Sequence, residues 1–286
     1  MPKTLSLIAA APLTGGRGVF TRILVGIDGS QAAREAARQA AVLGDVDGEM
    51  TLMAVWDLAP PVVFAETGGY AGFDPDARRA EAEHGLSDAL GAVAAYASPI
   101  AKLVRGLPTR CLLEEIDRDQ DTLVALGARG TGGRLLGMLG GSTASELVHD
   151  SPCSVLVARG SPDPFPRSIV VGIDGSPESA AAFAASRYLS RRFDAELIPL
   201  VAGGGDIDER LVGIILGEHY DEAVGDPVEV LTEAAADADL LVVGSRGLRG
   251  LKAIGSVSER VAHEAACSVL IVREPPWQRV REELTL

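Results

Sequence analysis

The sequence predicts an α/β protein built from two tandem copies of one doubly wound domain, each on a parallel sheet. Three observations lead there. First, a motif recurs: residues 22–30 read RILVGIDGS and residues 168–176 read SIVVGIDGS, sharing VGIDGS at an offset of 146. Further marks follow in the same order. GARG at 127–130 answers GSRG at 244–247 (offset 117), and Gly-Ser at 141–142 answers Gly-Ser at 255–256 (offset 114). CSVLV at 153–157 answers CSVLIV at 267–272, again offset by 114. Self-similarity in a constant order marks a duplicated domain. The shrinking offset makes the second copy 32 residues shorter, with 29 lost before the glycine loop and 3 within it. Second, short continuous apolar runs alternate with helix-forming stretches, as in parallel sheets covered on both faces. Third, 286 residues fit about two domains at ~150 residues each.

The elements follow in order. Ile23–Val25 and Ile169–Val171 read as buried first strands ending at Gly. Asp-Gly-Ser comes next, then Ala-rich helices over 31–43 and 177–192. Ser30 and Ser176 suit N-caps, and Pro177 the first helical position. Thr51–Trp56 and Glu196–Val201 are second strands. Asp74–Ala97 is a long helix; its counterpart, about 206–217, is much shorter. Ile100–Arg105 and about 219–224 are third strands, followed by short helices at Leu107–Arg118 and Pro227–Ala236. Thr122–Leu126 and Asp239–Val243 are fourth strands that run into the glycine loops. Helices at 142–150 and 256–265 and Cys-led last strands complete each copy. The β-α-β-α order implies right-handed crossovers. Residues 159–167, RGSPDPFPR, hold three prolines and read as a linker. The expected division is an N-terminal extension 1–20, a first domain 21–159, a linker 160–167, a second domain 168–274 and a tail 275–286.

Composition excludes several classes. The net charge of −14 opposes non-specific nucleic-acid binding and a polybasic membrane-surface role. No run of ~18 apolar residues is present, so no membrane span is expected. Aromatics at 4% are too sparse for a base-stacking platform. Cys111, Cys153 and Cys267 are too scattered for a disulfide framework or zinc site, so buried thiols in a reducing cytoplasm are expected. Lys3 before Leu5–Ala11 only faintly resembles a leader segment.

The 33 glycines cluster where chemistry is expected, with 7 of them between residues 127 and 141. In an open α/β sheet, ligands bind beyond the carboxyl ends of the strands where strand order reverses. The DGS turn and the glycine loop border one crevice there if strands one and four are neighbours. Loop N–H groups and the next helix N-terminus can hold phosphate oxygens. The alternative is a mobile surface loop. Neither loop is a Walker A motif, and neither fits G-x-G-x-x-G after the first strand.

This ordered set, VGIDGS, G-x-x-G, Gly-Ser, a short helix and Cys-Ser-Val-Leu, resembles the universal stress protein (UspA) family, twice over, across residues 20–273. The resemblance implies Rossmann-like five-stranded parallel sheets, of the adenine nucleotide alpha-hydrolase-like kind, with two domains paired as a pseudo-dimer through their last strands. It leaves further homodimerisation open. It also implies an adenine nucleotide, with ATP (with or without Mg2+) held at G-x2-G-x9-G-[S/T] and ADP or AMP as alternatives; other members lack the motif. Gly127 and Gly130 match its opening pair. Nine residues separate Gly130 from Gly140, and ten separate it from Gly141, which precedes Ser142 and Thr143. In the second copy Gly244 and Gly247 match, but only seven residues precede Gly255. The loss of two removes ~7 Å of chain reach. The first copy is therefore the expected site. The second copy is also the more acidic, with −9 of the net charge falling after residue 160.

By the same resemblance Asp28 and Asp174 lie near the nucleotide, where a carboxylate can accept from ribose hydroxyls; each can instead bond its own turn backbone. Val55 and Val201 end second strands and offer a backbone group to the adenine edge, or simply fill the core. Ser142 and Ser256 donate to phosphate, cap the following helix, or do both. Arg129, like Arg246, reaches phosphate or solvent. His149 and His263 complement a helix carbonyl end. With no nucleophile elbow, H-E-x-x-H or kinase signature, no catalytic residue and no metal ligand is assigned. Two further readings stay open: a nucleotide-free interaction scaffold using segment 57–99 with its Pro60–Phe64 apolar patch, and an ATP-dependent enzyme.

Overall fold

The computed structural model describes residues 20–45, 47–56, 74–116, 122–128, 142–161, 163–203, 207–217, 222–245 and 256–273. Copy one runs β1 (Arg22–Ile27), α1 (Gln31–Leu43), β2 (Glu49–Trp56), α2 (Pro75–Val93), β3 (Ile100–Arg105), α3 (Pro108–Glu115), β4 (Thr122–Gly127), α4 (Ser142–Asp150), β5 (Ser154–Ala158). Copy two runs β6 (Ser168–Ile173), α5 (Pro177–Phe193), β7 (Glu196–Gly203), α6 (Glu209–Leu216), β8 (Glu222–Val224), α7 (Pro227–Ala234), β9 (Leu240–Gly244), α8 (Val257–Glu264), β10 (Ser268–Val272). The predicted elements are present. The long helix stops at Val93 rather than Ala97, because residues 94–96 tighten into a turn in which Tyr96 N and Ala97 N both donate to Val93 O.

All ten strands join one sheet in the order β3-β2-β1-β4-β5-β10-β9-β6-β7-β8. Each copy is parallel within itself. The copies meet at an antiparallel pair, with Val157 opposite Val269, Leu156 opposite Leu270 and Val155 opposite Ile271. Leu156 and Leu270 are equivalent residues under the 114 offset, so the pseudo-twofold axis passes between them. β4, β5, β9 and β10 are almost wholly buried, as central strands covered on both faces must be. β3 at the rim is largely exposed. The apolar core is shared across the junction. On one face a single cluster joins residues of α1 and α2 to residues of α5, and on the other Val148, Val155 and Val157 join the core of copy two. Phe20, placed by the sequence in the extension, is fully buried in that first cluster, and its carbonyl accepts from Asp45 N.

Three helix ends are completed by arginines from the opposite copy. Arg159 Nη2 donates to Ala262 O (2.6 Å) and His263 O (3.2 Å) at the end of α8, and Nη1 to Cys267 O (3.0 Å). Its equivalent, Arg273, donates to Val148 O and Ser151 O at the end of α4. Arg192 donates to Gly44 O (2.6 Å) at the end of α1, where no last-turn residue is basic. The last four carbonyls of a helix have no partner within it. A cation there both donates and complements the dipole.

The linker is docked. Phe165 is 3% exposed, with Arg38 over its ring at 5.8 Å. Gln39 Nε2 donates to Arg159 O (2.6 Å) and Ser161 Oγ (3.1 Å). Arg38 pairs with Glu35 at 2.6 Å, and Ser161 Oγ donates to Glu35 (3.0 Å). Burial works to raise the Glu35 carboxyl, but hydrogen bonds from Arg38, Gln39 and Ser161 outweigh it and hold the group below its ordinary 4.5. A depressed carboxyl stabilises the fold above its unfolded pKa and loses that contribution as pH falls through the folded value. Glu35→Gln should therefore cost about 2 kcal/mol at pH 7. The gap from wild type should narrow below pH 4.5. Urea denaturation at both pH values measures this, and an equal gap at both would disprove it.

Candidate functional site

The switch point in copy one lies between β1 and β4, which pair directly, and in copy two between β6 and β9. Their register is level, with Val25 opposite Ala125, so Ile27 and Gly127 end side by side. The DGS turn and the end of the fourth strand are therefore neighbours, as expected. After β1 the chain turns through Asp28-Gly29-Ser30. Gly29 has φ +80° and Gly175 φ +78°, which only glycine adopts cheaply. Asp28 Oδ1 accepts from Ser30 N (3.0 Å), and Asp174 Oδ1 from Ser176 N (2.9 Å). Ser30 and Ser176 then cap α1 and α5, accepting from Ala33 N and Ser179 N. Each Asp therefore shapes the turn, and both remain exposed.

Gly127 and Gly244 have a role the sequence did not disclose. A Cβ at Gly127 would lie 2.6 Å from Ala32 backbone, and one at Gly244 would lie 2.4 Å from Glu178. These glycines let the fourth strand's end meet the first turn of the helix that follows strand one. Arg129, Gly130, Gly140, Gly141, Gly247 and Gly255 lie outside the described residues. α4 begins at Ser142, with half-buried Thr143 next. Ser256 caps α8, accepting from Glu259 N at 3.3 Å.

Val55 and Val201 are not equivalent. Ala54 pairs with Ile27, while Val201 pairs with Ile173. The counterpart of Val201 is Ala54, and that of Val55 is Ala202. One residue of slip reverses the face in a strand. Val55 packs on the α3–α4 side with Met53, while Val201 joins the opposite core. The histidines also part company. His149 pairs with Asp150 at 2.9 Å, and His263 faces Ser145 of copy one at 3.4 Å.

The two crevices differ at the turn. In copy two Asp208 lies against it: its N–H donates to Asp174 O (3.0 Å), and its carbonyl would stand 2.3 Å from a Cβ at Gly175. In copy one, among the described residues, the nearest atom to a Cβ at Gly29 is Gly85 Cα, at 3.8 Å. Gly85 sits inside α2, so ten residues, Pro75–His84, run on past the turn for about 15 Å. α6 begins one residue after Asp208 and has no such wall. Arg34 is a further asymmetry. Its Nη1 donates to Gly29 O (3.0 Å) and lies 3.6 Å from Asp88 of α2, placing a guanidinium at the turn of copy one. Ala180 stands at that place in copy two. Arg34 was legible as a basic residue of copy one replaced by alanine at the common offset.

Comparison with known proteins is consistent in kind. The family model described as "Universal stress protein family" matches residues 20–159 and 206–273. A universal stress protein of Mycobacterium tuberculosis is 31% identical over 295 aligned positions, covering 88% of this chain and 97% of that protein. One from Mycolicibacterium smegmatis is 30% identical, covering 88% and 96%. The crystal structure of a universal stress protein from Archaeoglobus fulgidus superposes with a TM-score of 0.68 at 19% identity, over 90% of this chain and 98% of that one.

The close approach at Gly127 has a measurable cost. Gly127→Ala should lower stability by about 1–3 kcal/mol through overpacking. Gly160→Ala, where nothing lies within 4 Å, serves as the control. Equal denaturation midpoints for the two variants would refute the packing role.

Proposed function

The chain belongs to the universal stress protein family, and from that premise we propose that it binds an adenine nucleotide, ATP foremost, in the crevice of copy one, in a regulatory, stress-response role. The observation that carries this is the asymmetry at the two turns: copy one has the Arg34 guanidinium and the α2 wall, which meets Gly29 through the side-chain-free Gly85, whereas Asp208 closes over Gly175 in copy two. In this reading Asp28 meets the ribose and the Val55 backbone the adenine edge. Gly130, Gly140 and Gly141 present N–H groups to the phosphates, joined by Ser142, Thr143 and Arg129. Gly127 keeps the strand end close to α1. Mg2+ accompanies the triphosphate, and ADP or AMP compete for the same place. The corresponding set in copy two, Asp174, Val201, Gly244, Gly247, Gly255 and Ser256, forms the weaker site. The two binding units are residues 21–159 and 168–274.

A cytoplasmic location accords with the unpaired Cys111, Cys153 and Cys267. Burial pushes Cys267 up to about 11 and Cys153 upward as well, so neither is a ready thiolate. No described helix is long and apolar enough to cross a membrane.

A second reading, a protein-binding scaffold, draws on the exposure of Pro75–His84, which is solvated for most of three turns. It expects a protein partner that wild type retains in a pull-down and a chain lacking 59–73 does not. Equal retention would count against it.

The nucleotide reading is tested by calorimetry and melting with Mg-ATP, ADP and AMP. One equivalent per chain is expected, with stabilisation of about 2.7 kcal/mol at a hundred times the dissociation constant. Gly130→Val should abolish binding and Gly247→Val should leave it. No binding of any of the three at millimolar concentration would end the proposal.

A further inference from the structure

We propose that Arg273, in copy two, is a positioning residue for the crevice of copy one, holding α4 from its far end. α4 has nine residues, too few to be stable alone. Its place is set by what it touches. Its N-terminus opens at Ser142, on the crevice side. At the other end, Arg273 donates through Nη1 to Ser151 O and through Nη2 to Val148 O. Arg273 is 5% exposed, and its own N–H donates to Ser154 Oγ at 3.1 Å, at the head of β5. It directly follows β10, a strand buried along its whole length. The anchor is therefore a rigid part of the other copy.

The planar fork of a guanidinium satisfies two carbonyls at fixed separation, which a lysine ammonium does not. A helix this short moves as a body, so a change at its carbonyl end is felt at Ser142. Binding groups work only when the residues supporting them hold them to within about 0.5 Å of the productive geometry. Copy two thus contributes to the site of copy one without touching its ligand.

The duplication supplies an internal control. Arg159 donates to Ala262 O, the counterpart of Val148 O, and also to His263 O and Cys267 O, and so secures α8. Its backbone N–H donates to Ser268 Oγ (2.9 Å) as that of Arg273 does to Ser154. The two residues share chemistry and an offset of 114. Only Arg273 holds the helix that opens onto the stronger of the two proposed nucleotide sites, that of copy one. The binding part of this inference rests on that proposal, while the clamp does not.

Full-length wild type, Arg273→Ala, Arg273→Lys and Arg159→Ala are compared by hydrogen–deuterium exchange without nucleotide and by calorimetry with Mg-ATP. In exchange, Arg273→Ala should strip protection from α4 amides and spare α8, and Arg159→Ala should do the reverse. In calorimetry, Arg273→Ala should weaken binding about tenfold, with Arg273→Lys intermediate and Arg159→Ala near wild type. The inference is overturned if α4 and α8 respond alike to both variants, or if Arg273→Ala binds as tightly as wild type. A wild type that binds no nucleotide removes the functional proposal instead, and the exchange pattern still decides the clamp.

Discussion

The antiparallel pairing of β5 with β10 is the constraint around which the molecule is organised. Each copy alone would end in an apolar strand, Val-Leu-rich and buried on both faces, with a row of unpaired backbone groups. Pairing satisfies both rows at once. It also brings Arg159 and Arg273, one residue past each strand, to the carbonyl ends of the opposite helices. Hydrogen bonds to a charged group contribute about 1.5–3 kcal/mol each, and here they seal helix ends that would otherwise be buried without partners. The docked linker adds to the same junction, since Ser161 and Phe165 lie on α1. Copies, linker and helix ends thus share one sheet and one apolar core rather than forming two beads on a string.

The sheet was readable because buried parallel strands are continuous apolar runs and the repeat displays them twice. Ile100–Arg105, a polar rim strand with little periodicity, was placed by its position between helices and matches its observed bounds. The N-caps at Ser30 and Ser176 were readable because the chemistry is local. What escaped was long-range. Nothing near Arg159, Arg192 or Arg273 in sequence says that each ends on a helix of the other copy. The common offset of the first and last was visible, but its purpose depends on the fold. The valines show a different failure. Val55 and Val201 look alike at strand ends, yet a one-residue change in the distance from strand one places them on opposite faces.

The candidate site shows the same division. The DGS turn and its neighbour at the end of β4 could be inferred from topology alone. The glycine at that strand end looked like a ligand-binding residue, and the structure shows it first as a packing requirement against Ala32. The shortening of copy two appeared as a count of missing residues. Only in space does it become Asp208 lying on Gly175, and α6 starting where α2 is already in mid-course. Beside its turn copy two thus carries a shorter helix, and Asp208 lies on the turn itself.

Joining the copies through a short docked linker has a consequence for their divergence. A symmetric pair made of separate chains forms by mass action, and its interface must fit itself, so every substitution appears on both sides. Within one chain the effective concentration of one half for the other is fixed by the linker, whatever the amount of protein present. Each half then has to match only its covalent neighbour. Arg34 can stand opposite Ala180, and a nineteen-residue helix opposite one of eight, without harm to the pairing. Tethering thereby converts a self-complementary assembly into a complementary one and leaves each half at liberty to specialise.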